Sequence, residues 1–335
     1  MQKKRVLVTG GCGFIGTHVV KAFLRDGYSV HVVDDMTGAD YETFIESIGV
    51  DHVRTLPVGV VSVWEYQREK QETADIVVFE GDFAEPPIIS RIVNGKYDAV
   101  VHLAADPRVE YCIEYPVSTY QNNLQKTIEL FYVCAKSSTR VVFASSAAVY
   151  GAAENIGPML EDIKKNPRST YGLQKLQAEQ VGQMFTDLYD LSIMSLRFFN
   201  VYGPGQQGNS PYSTVIAAWI DKINNNEPLR LDGDGLQTRD YIHVSDISRA
   251  CLLAAQSTKN DILNIASGKS KSNNEILNIL SVHRDFKVKT APDRIGDVRH
   301  SLADVKRASE ILGFQAEINV SDGISDLLVG SSNAR

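Results

Sequence analysis

Three side chains with the chemistry of an acid–base site occur in the order Ser146, Tyr171 and Lys175. Tyr171 and Lys175 are four residues apart in a predicted helix over 169–187, and this spacing places both side chains on one helical face. An ammonium group beside a phenol stabilises the phenolate and lowers the pKa of the tyrosine from about 10 toward the range of a general base. The spacing alone is more often that of an amphipathic surface helix, so the prediction depends on what surrounds it.

The serine stands directly after a short apolar run, residues 140–144. Such a run is typical of a strand that is buried on both faces of a parallel sheet. Open α/β sheets bind their ligands at the carboxyl ends of the strands. We therefore expect Ser145 and Ser146 to lie at the ligand-binding edge of the sheet, close to the helix that carries Tyr171.

A glycine-rich turn near the start of the chain predicts a dinucleotide site. A predicted strand, 5–9, runs into Gly10, Gly13 and Gly16, and a predicted helix, 17–26, follows. In such a turn the first glycine permits the tight bend, the second lets the backbone approach a pyrophosphate, and the third lets the helix pack on its strand.

An acidic pair follows the next predicted strand, 29–33, about 20 residues beyond the glycines, the usual distance in this motif. A carboxylate at Asp34 or Asp35 would accept hydrogen bonds from the adenosine ribose diol and would repel a 2′-phosphate. The sequence therefore predicts NAD rather than NADP as the cofactor.

Two more predicted strands, 76–79 and 99–103, continue the alternation of strand and helix. Asp82, after the first, could accept a hydrogen bond from an adenine amino group. The small side chains of Ala104 and Ala105, after the second, would let a cofactor lie against the backbone. The sheet is therefore predicted to be of the doubly wound α/β type.

A long helix predicted over 115–136 carries Asn122 and Asn123. A buried asparagine needs hydrogen-bond partners, so one of the two is expected to reach a neighbouring loop or the cofactor; the alternative is a pair that faces solvent.

An earlier segment, 36–74, is longer than a usual connection and combines a possible helix (41–48), an apolar run (58–64) and a charged stretch (65–72). We expect an excursion from the sheet there, with a lid or an interface as alternatives.

The glycine, proline and polar content rises at residues 205–213 and predicts a second region. Elements predicted in or after this stretch are helices 212–224, 244–257 and 304–312 and strands 229–231 and 261–265. Arg239 and Arg294 stand in loops rich in glycine and aspartate, where a guanidinium can hold a diphosphate through two hydrogen bonds, although isolated arginines are more often surface residues.

Composition excludes several classes of function. The formal net charge of −7 over 335 residues argues against a nucleic-acid surface. The four cysteines are far apart, so neither a zinc site nor a disulfide framework is expected, and no metal is required. There is no run of membrane-span length and no apolar signal region, so the expected location is the cytoplasm, away from membranes.

Taken together, the motifs resemble those of the extended short-chain dehydrogenase/reductase family, and within it the nucleotide-sugar 4-epimerases of the UDP-glucose/UDP-N-acetylglucosamine type. The resemblance covers nearly the whole chain apart from 36–74. It rests on the following motifs: Thr9-Gly10-Gly11-x-Gly13-Phe14-Ile15-Gly16, His102-Leu103-Ala104-Ala105, Ser145-Ser146-x-x-Val149-Tyr150-Gly151, Tyr171-x-x-x-Lys175, Arg197-Phe198-Phe199-Asn200 and Gln237-Thr238-Arg239-Asp240-Tyr241-Ile242-His243-Val244.

The resemblance implies a role for each matching residue. Ser146 would be the catalytic hydroxyl, Tyr171 the base, and Lys175 the residue that binds the nicotinamide ribose and tunes Tyr171. The implied cofactor-binding residues are Gly10, Gly13, Phe14, Ile15, Gly16, Asp34, Asp35, Asp82, Phe83, Leu103, Ala104, Ala105, Asn123, Ser145, Tyr171, Lys175 and Phe198. The implied substrate-binding residues are Ser146, Asn200, Tyr212, Arg239, Arg294, Asp297 and Ser301.

The same resemblance implies the architecture: an α/β protein with a Rossmann-type doubly wound parallel sheet and a smaller C-terminal α/β substrate domain. The NAD-binding domain would span 1–196, with a segment near 240–265 returning to it, and 197–335 would mainly bind a UDP-sugar. Relatives pair helices equivalent to 115–136 and 169–187 across a homodimer, so a homodimer is expected.

Departures from the family pattern refine the expected activity. Dehydratases and decarboxylases of the family carry acidic residues where this chain has Ala147 and Ala148, so a simple epimerisation is favoured over those alternatives. Asn200 argues mildly against a uronate 4-epimerase. A non-catalytic NAD-binding module is a further alternative, disfavoured because a pure binder has no use for a tuned base. Arg108 stands near a position where many epimerases have a cofactor-contacting lysine.

The residue at position 301 predicts which sugar the site accepts. Glucose-only relatives often have a tyrosine at this position, and serine would leave room for a 2-N-acetyl group. The expected reaction is therefore the interconversion of UDP-GlcNAc and UDP-GalNAc, with UDP-Glc and UDP-Gal as further possible substrates.

Overall fold

A computed structural model describes residues 3–49, 53–57, 75–151, 157–209, 213–292 and 299–330. Within these ranges the strands are β1 Arg5–Thr9, β2 Ser29–Asp34, β3 Val53–Pro57, β4 Ile76–Glu80, β5 Ala99–His102, β6 Arg140–Ser146, β7 Ile193–Phe198, β8 Asn200–Tyr202, β9 Leu229–Asp232, β10 Thr238–His243, β11 Asp261–Ile265, β12 Ser270–Ser272 and β13 Val288–Ala291.

The helices of the same ranges are α1 Phe14–Arg25, α2 Tyr41–Ile48, α3 Pro86–Val93, α4 Val109–Glu114, α5 Pro116–Tyr120, α6 Lys126–Lys136, α7 Thr170–Tyr189, α8 Val215–Asn224, α9 Val244–Gln256, α10 Asn273–Ser281, α11 Lys306–Leu312 and α12 Val320–Gly330. A π-helical turn, Gln121–Gln125, joins α5 to α6, and a 3-10 turn, Ala147–Val149, follows β6.

Eight parallel strands form the main sheet, in the order β11-β7-β6-β5-β1-β2-β4-β3. The order reverses direction between β1 and β5, so a crevice opens beyond the carboxyl ends of these two strands, which is where such sheets bind ligands. The prediction of a Rossmann-type doubly wound sheet is confirmed.

Both faces of this sheet are covered, as the apolar strands require. Along β1, Val6 and Val8 point into one hydrophobic core and Leu7 points into the other, the period of two expected of a strand. The first core includes apolar side chains of α1 and α9, and the second includes side chains of α3, α6 and α7. The helix that carries Tyr171 is therefore held against the second face.

A smaller unit follows β7. In it β10 pairs in parallel with β8 and antiparallel with β12, while β9 pairs in parallel with β13. Trp219 of α8, Ile276 of α10 and Leu328 of α12 share its hydrophobic core. Strand β11 then returns to the main sheet, where it pairs with β7 as an edge strand.

Most predicted elements differ from the observed ones by a few residues at their ends. The helix predicted over 115–136 is interrupted, because the hydrogen-bonding pattern switches to a π turn at 121–125. The helix predicted over 41–48 is present as α2, and β3 was not predicted within the segment 36–74. The run 58–64 and the stretch 65–72 lie outside the described residues. Over the described part of the chain, no helix is both long and apolar enough to cross a membrane.

Candidate active site

The catalytic helix α7 begins against the end of β6. The Ser169 hydroxyl caps the helix by accepting a hydrogen bond of 3.1 Å from the Gly172 N–H. A Cβ atom at Gly172 would lie 2.5 Å from the carbonyl oxygen of Ala148, so only glycine allows this close approach. The contact brings the first turn of α7, and with it Tyr171, next to Ser146.

The three predicted catalytic residues lie together in the structure. The side chain of Ser146 lies next to that of Tyr171 and favours the phenolate form of the tyrosine. The Nζ atom of Lys175 lies 5.8 Å from the centre of the Tyr171 ring and donates a hydrogen bond of 2.7 Å to the carbonyl oxygen of Ala144. The group therefore has the geometry of an acid–base site whose phenol contacts a hydroxyl and faces a buried ammonium.

The charge balance of this group differs from the sequence-based expectation. Burial raises the pKa of Tyr171 above its ordinary value of 10.0, and the hydrogen bond with Ser146 offsets only part of that rise. Burial also lowers the pKa of Lys175 to about 7, although the carboxylate of Glu179 opposes the change. In the absence of cofactor, desolvation of the phenolate outweighs the effect of Ser146, and the lowering of the Tyr171 pKa by Lys175 stays a prediction for the protein with its cofactor bound.

Ser145 does not present its hydroxyl to the same space as Ser146. The side chain of Ser145 is buried, and its hydroxyl donates a hydrogen bond of 2.5 Å to Oε1 of Glu179. Successive side chains of a strand point to opposite faces, and the predicted contact between Ser145 and the cofactor stays a prediction.

Sequence reasoning missed Glu179 and Arg197. Their side chains are each 1% exposed, and Arg197 donates two hydrogen bonds to the carboxylate, from Nε to Oε1 (2.9 Å) and from Nη2 to Oε2 (2.7 Å). Glu179 lies one turn beyond Lys175 on α7, whereas Arg197 is on β7. The spacing of Tyr171, Lys175 and Glu179 at intervals of four is a signal for Glu179, whereas Arg197 carries no signal beyond its place in the motif Arg197-Phe198-Phe199-Asn200.

The glycine turn has the form of a phosphate-binding cradle. Gly10 has a φ of +68°, and a Cβ atom at Gly16 would lie 2.2 Å from the carbonyl oxygen of Gly10. Helix α1 begins at Phe14 without a side-chain cap, so the N–H groups of its first turn point toward the crevice with the positive end of the helix dipole. A Cβ atom placed on Gly13 would have its nearest neighbouring atom 3.5 Å away.

Asp34 is the acidic residue that this cradle holds. Its carboxylate accepts hydrogen bonds from the Cys12 N–H (2.9 Å) and the Met36 N–H (3.0 Å), which fix it beside the glycine turn. Burial raises the pKa of Asp34, and the two N–H groups oppose that rise. Asp35 is exposed and accepts hydrogen bonds from Thr37 instead, so Asp34 is the stronger candidate for contacting a ribose.

A buried histidine joins β1 to β5 at the crevice. His102 Nδ1 is 2.7 Å from the Thr9 hydroxyl and Nε2 is 2.9 Å from the Thr127 hydroxyl. Burial lowers the pKa of His102 to about 3, so the ring is neutral. A Cβ atom at Gly10 would lie 2.8 Å from the backbone nitrogen of Ala104, which shows that the loops after these two strands touch.

The residues predicted to contact adenine have protein partners. Asp82 accepts a hydrogen bond of 2.8 Å from the Ala84 N–H and forms an ion pair with Lys126. Phe83 packs its ring edge to face against His102, with the ring centres 4.8 Å apart. The carboxylate of Asp82 retains further acceptor capacity, so its contact with adenine stays a prediction.

Asn123 reaches a neighbouring loop, one of the two outcomes expected of it. Its side chain accepts a hydrogen bond of 2.7 Å from the Asp106 N–H and donates one of 2.9 Å to the Asp106 carbonyl oxygen and another of 2.9 Å to Gln174. Asn123 thus supports the loop after β5. In that loop the guanidinium of Arg108 forms an ion pair of 2.5 Å with Asp106 and lies over the Tyr111 ring.

The predicted substrate residues are partly described. Asn200 donates a hydrogen bond of 3.1 Å to the Asp240 carbonyl oxygen, and Arg239 donates one of 2.8 Å to the carbonyl oxygen of Thr238. Ser301 is buried, and its N–H donates a hydrogen bond of 3.1 Å to the Thr238 carbonyl oxygen, which fixes it beside β10. Tyr212, Arg294 and Asp297 lie outside the described residues.

The remaining predicted cofactor positions lie on the elements that border the crevice: Ile15 on α1, Phe198 at the end of β7, and Leu103 and Ala105 after β5. Among the described residues, no group of three or more histidine, cysteine, aspartate or glutamate side chains could hold a metal ion. The glycine turn, Asp34 and the group formed by Ser146, Tyr171 and Lys175 thus border one crevice. The hydrogen-bonding groups along this crevice fit a dinucleotide.

Known proteins resemble this chain in sequence and in fold. Residues 6–266 match the model of the NAD dependent epimerase/dehydratase family. The chain is 29% identical over 340 residues to the UDP-glucose 4-epimerase of Azospirillum brasilense, covering 96% of this chain and 89% of that protein.

Two solved structures superpose on nearly the whole chain. The UDP-N-acetylglucosamine 4-epimerase of Methanobrevibacter ruminantium, in complex with UDP-N-acetylmuramic acid, has a TM-score of 0.84 and 31% identity, and the match covers 98% of this chain and 100% of that one. The UDP-glucose 4-epimerase of Thermus thermophilus, in complex with NAD, has a TM-score of 0.81 and 27% identity, with 99% and 100% covered.

Proposed function

This chain belongs to the NAD-dependent epimerase/dehydratase family, and from that membership we propose that it is a UDP-sugar 4-epimerase whose substrates are UDP-GlcNAc and UDP-GalNAc, with UDP-Glc and UDP-Gal also accepted. The observation that carries the proposal is the contact of Ser146 with Tyr171 beside a buried Lys175, at the edge of the sheet that also bears the glycine cradle. The enzyme is an isomerase that uses NAD.

The acid–base group acts on the sugar 4-hydroxyl. Tyr171 takes its proton while Ser146 donates a hydrogen bond to the same oxygen, and the reverse transfer returns the proton to the product. NAD, when bound, would accept the C4 hydrogen as a hydride and return it, so that a proton to Tyr171 and a hydride to NAD together account for the oxidation of the alcohol. Its nicotinamide carries a positive charge, which Tyr171 needs because burial alone keeps the pKa of this phenol above its ordinary value.

Changing the configuration at C4 requires that the oxidised sugar turn within the site while its nucleotide stays bound. Arg239 and Asn200 are proposed to hold the nucleotide end, together with Arg294, Asp297 and Tyr212. Ala147 and Ala148, directly after Ser146, have small side chains, and Ser301 is proposed to line the sugar end of the site with another small one. A firm grip on UDP and a loose one on the sugar would permit that rotation.

Ser301 supports the assignment of N-acetylated sugars. Its backbone is held against Thr238 and its side chain is small, so the proposed pocket has room for a substituent on C2 that a tyrosine would exclude by steric clash. Ala147 and Ala148 lack the groups that could move a second proton, which disfavours dehydration and decarboxylation.

A homodimer is part of the same proposal. α6 packs against α7, and apolar side chains are exposed on these helices and their neighbours; Val117 is 71% exposed and Leu188 62%. Exposed apolar surface of this kind marks protein interfaces. The mass in solution, measured by light scattering, is expected to be twice that of the chain, and a monomer at assay concentrations would contradict the dimer.

The reaction itself is tested with purified protein, NAD and a panel of UDP-GlcNAc, UDP-Glc and UDP-glucuronic acid, with products resolved by nuclear magnetic resonance. We expect UDP-GalNAc to form from UDP-GlcNAc with no change in mass. Loss of water or carbon dioxide would identify a dehydratase or a decarboxylase. Turnover of UDP-glucuronic acid alone would identify a uronate epimerase, and no turnover with any UDP-sugar would reject the proposal.

A further inference from the structure

The buried pair Glu179 and Arg197 joins three elements of the active site. Glu179 is on α7, the helix that carries Tyr171 and Lys175, and Arg197 is on β7. The same carboxylate accepts the hydrogen bond from Ser145 of β6, the residue directly before Ser146. One carboxylate therefore links the helix that bears the base to the strand that bears its serine partner.

Arg197 is a fixed anchor for this carboxylate. Its Nη1 atom donates hydrogen bonds to the Tyr150 hydroxyl (2.8 Å) and to the Glu161 carbonyl oxygen (2.9 Å). Tyr150 in turn donates a hydrogen bond of 2.6 Å to the Asn264 side chain, at the end of the main sheet. A displacement of Glu179 could not be followed by Arg197 without breaking these further bonds, so the pair defines a single position for α7.

The carboxylate also sets the charge around Lys175. The titratable groups that face this lysine are Tyr171 and Glu179 on its own helix, Cys112 of α4 and His102 of β5. His102 is neutral and the Cys112 thiol has a pKa raised chiefly by burial. Glu179 is therefore the carboxylate that favours the charged form of Lys175 on this helix.

We propose that Glu179 is the positioning residue of the active site, holding the helix of Tyr171 and Lys175 in register with the strand of Ser146. Glu179 touches neither the sugar nor the cofactor and acts through its neighbours. The inference rests on the proposed function, because Tyr171 and Ser146 act together on the sugar 4-hydroxyl oxygen in the proposed epimerisation.

Two substitutions separate position from charge. In E179Q the anion is lost while the side-chain length is kept, and Arg197 remains as an uncompensated cation; in E179D the anion is kept but retracted by one methylene. Misplacement of reacting groups by about 1 Å can lower kcat on the order of a hundredfold. We therefore expect both variants to lose kcat to that extent with an unchanged KM, since the nucleotide is held elsewhere.

Only E179Q should change the response to pH. Loss of the anion lowers the pKa of Lys175 below its value of about 7, so the alkaline limb of the rate profile moves to lower pH, whereas in E179D it stays in place. A direct readout without turnover is the titration of Lys175 in isotope-labelled protein by nuclear magnetic resonance, with K175M to assign the signal. It remains available if no UDP-sugar is turned over, so failure of the proposed function and failure of this inference are distinguishable.

The matched control is D246N. Asp246 is also a buried carboxylate paired with an arginine, Arg249, on the other face of the sheet, and it accepts hydrogen bonds from the Glu317 and Ile318 N–H groups. We expect D246N to lose stability while it keeps kcat and the titration of Lys175. If E179Q behaves like D246N, or if E179Q unfolds and E179D keeps wild-type kcat, the positioning role is overturned.

Discussion

The ammonium group of Lys175 donates a hydrogen bond of 2.7 Å to the carbonyl oxygen of Ala144, two residues before Ser146 on the same strand. Lys175 is thereby fixed to β6, the strand that bears Ser146, although the lysine itself belongs to α7, which packs on one face of the main sheet. Ser146 approaches Tyr171 from β6, and the ammonium group of Lys175 is fixed on the same strand, so the geometry around the phenol depends on how α7 meets β6.

Tyr171→Phe should abolish epimerisation. The substitution removes the proton acceptor while it leaves the ring and the buried Lys175 in place, so NAD should still bind. Turnover is measured with UDP-GlcNAc and NAD binding by calorimetry. Retention of more than about a tenth of the wild-type rate would refute the role of Tyr171 as base, since removal of a general base usually costs about 10²–10⁴ in rate.

Ser301→Tyr should suppress turnover of N-acetylated substrates selectively. The added ring would occupy the space proposed for the 2-N-acetyl group beside Thr238, and steric exclusion discriminates strongly against the larger ligand. The quantity to measure is the ratio of kcat/KM for UDP-GlcNAc to that for UDP-Glc. An unchanged ratio would show that Ser301 does not line the sugar pocket.

Lys175→Met should change how stability depends on pH. Burial lowers the pKa of Lys175 from 10.5 to about 7, so between these pH values the unfolded chain binds a proton that the folded protein lacks. This group therefore makes the free energy of unfolding rise with pH across that window, by up to about 1.4 kcal/mol per pH unit. Urea unfolding of both proteins across the window should show that the substitution removes this rise, whereas parallel curves would contradict it.

Gly16→Ala should disrupt the cofactor cradle. The new Cβ atom would lie 2.2 Å from the Gly10 carbonyl oxygen, so the turn or the helix must shift, at a cost of about 1–3 kcal/mol in stability, and NAD affinity should fall. Gly38→Ala is the matched control, because no atom lies within 4 Å of a Cβ there. Equal NAD affinity of the two variants would argue against the cradle.

The sequence could predict those parts of the fold and site that depend on local spacing. The glycines at 10, 13 and 16, the acid at the end of β2 and the interval between Tyr171 and Lys175 each act within one turn or one helix. Their positions follow from the short apolar runs that must become buried strands.

Features that depend on distant contacts could not be predicted. The pairing of Glu179 with Arg197 and the bridge of His102 between Thr9 and Thr127 arise only when the strands are in register. The raised pKa of Tyr171 in the absence of cofactor has the same origin: the spacing shows the nearby cation, whereas the desolvation comes from neighbours that only the folded chain provides.

The return of β11 to the main sheet has a consequence for biosynthesis. Residues 261–265 shield the outer edge of β7, so a ribosome-bound chain that has emerged only through the nucleotide-binding strands presents an uncovered row of peptide groups, the kind of edge that recruits other strands. The main sheet is complete only after most of the smaller unit that follows β7 has been translated. A chain truncated directly after β7 would therefore be an aggregation-prone fragment.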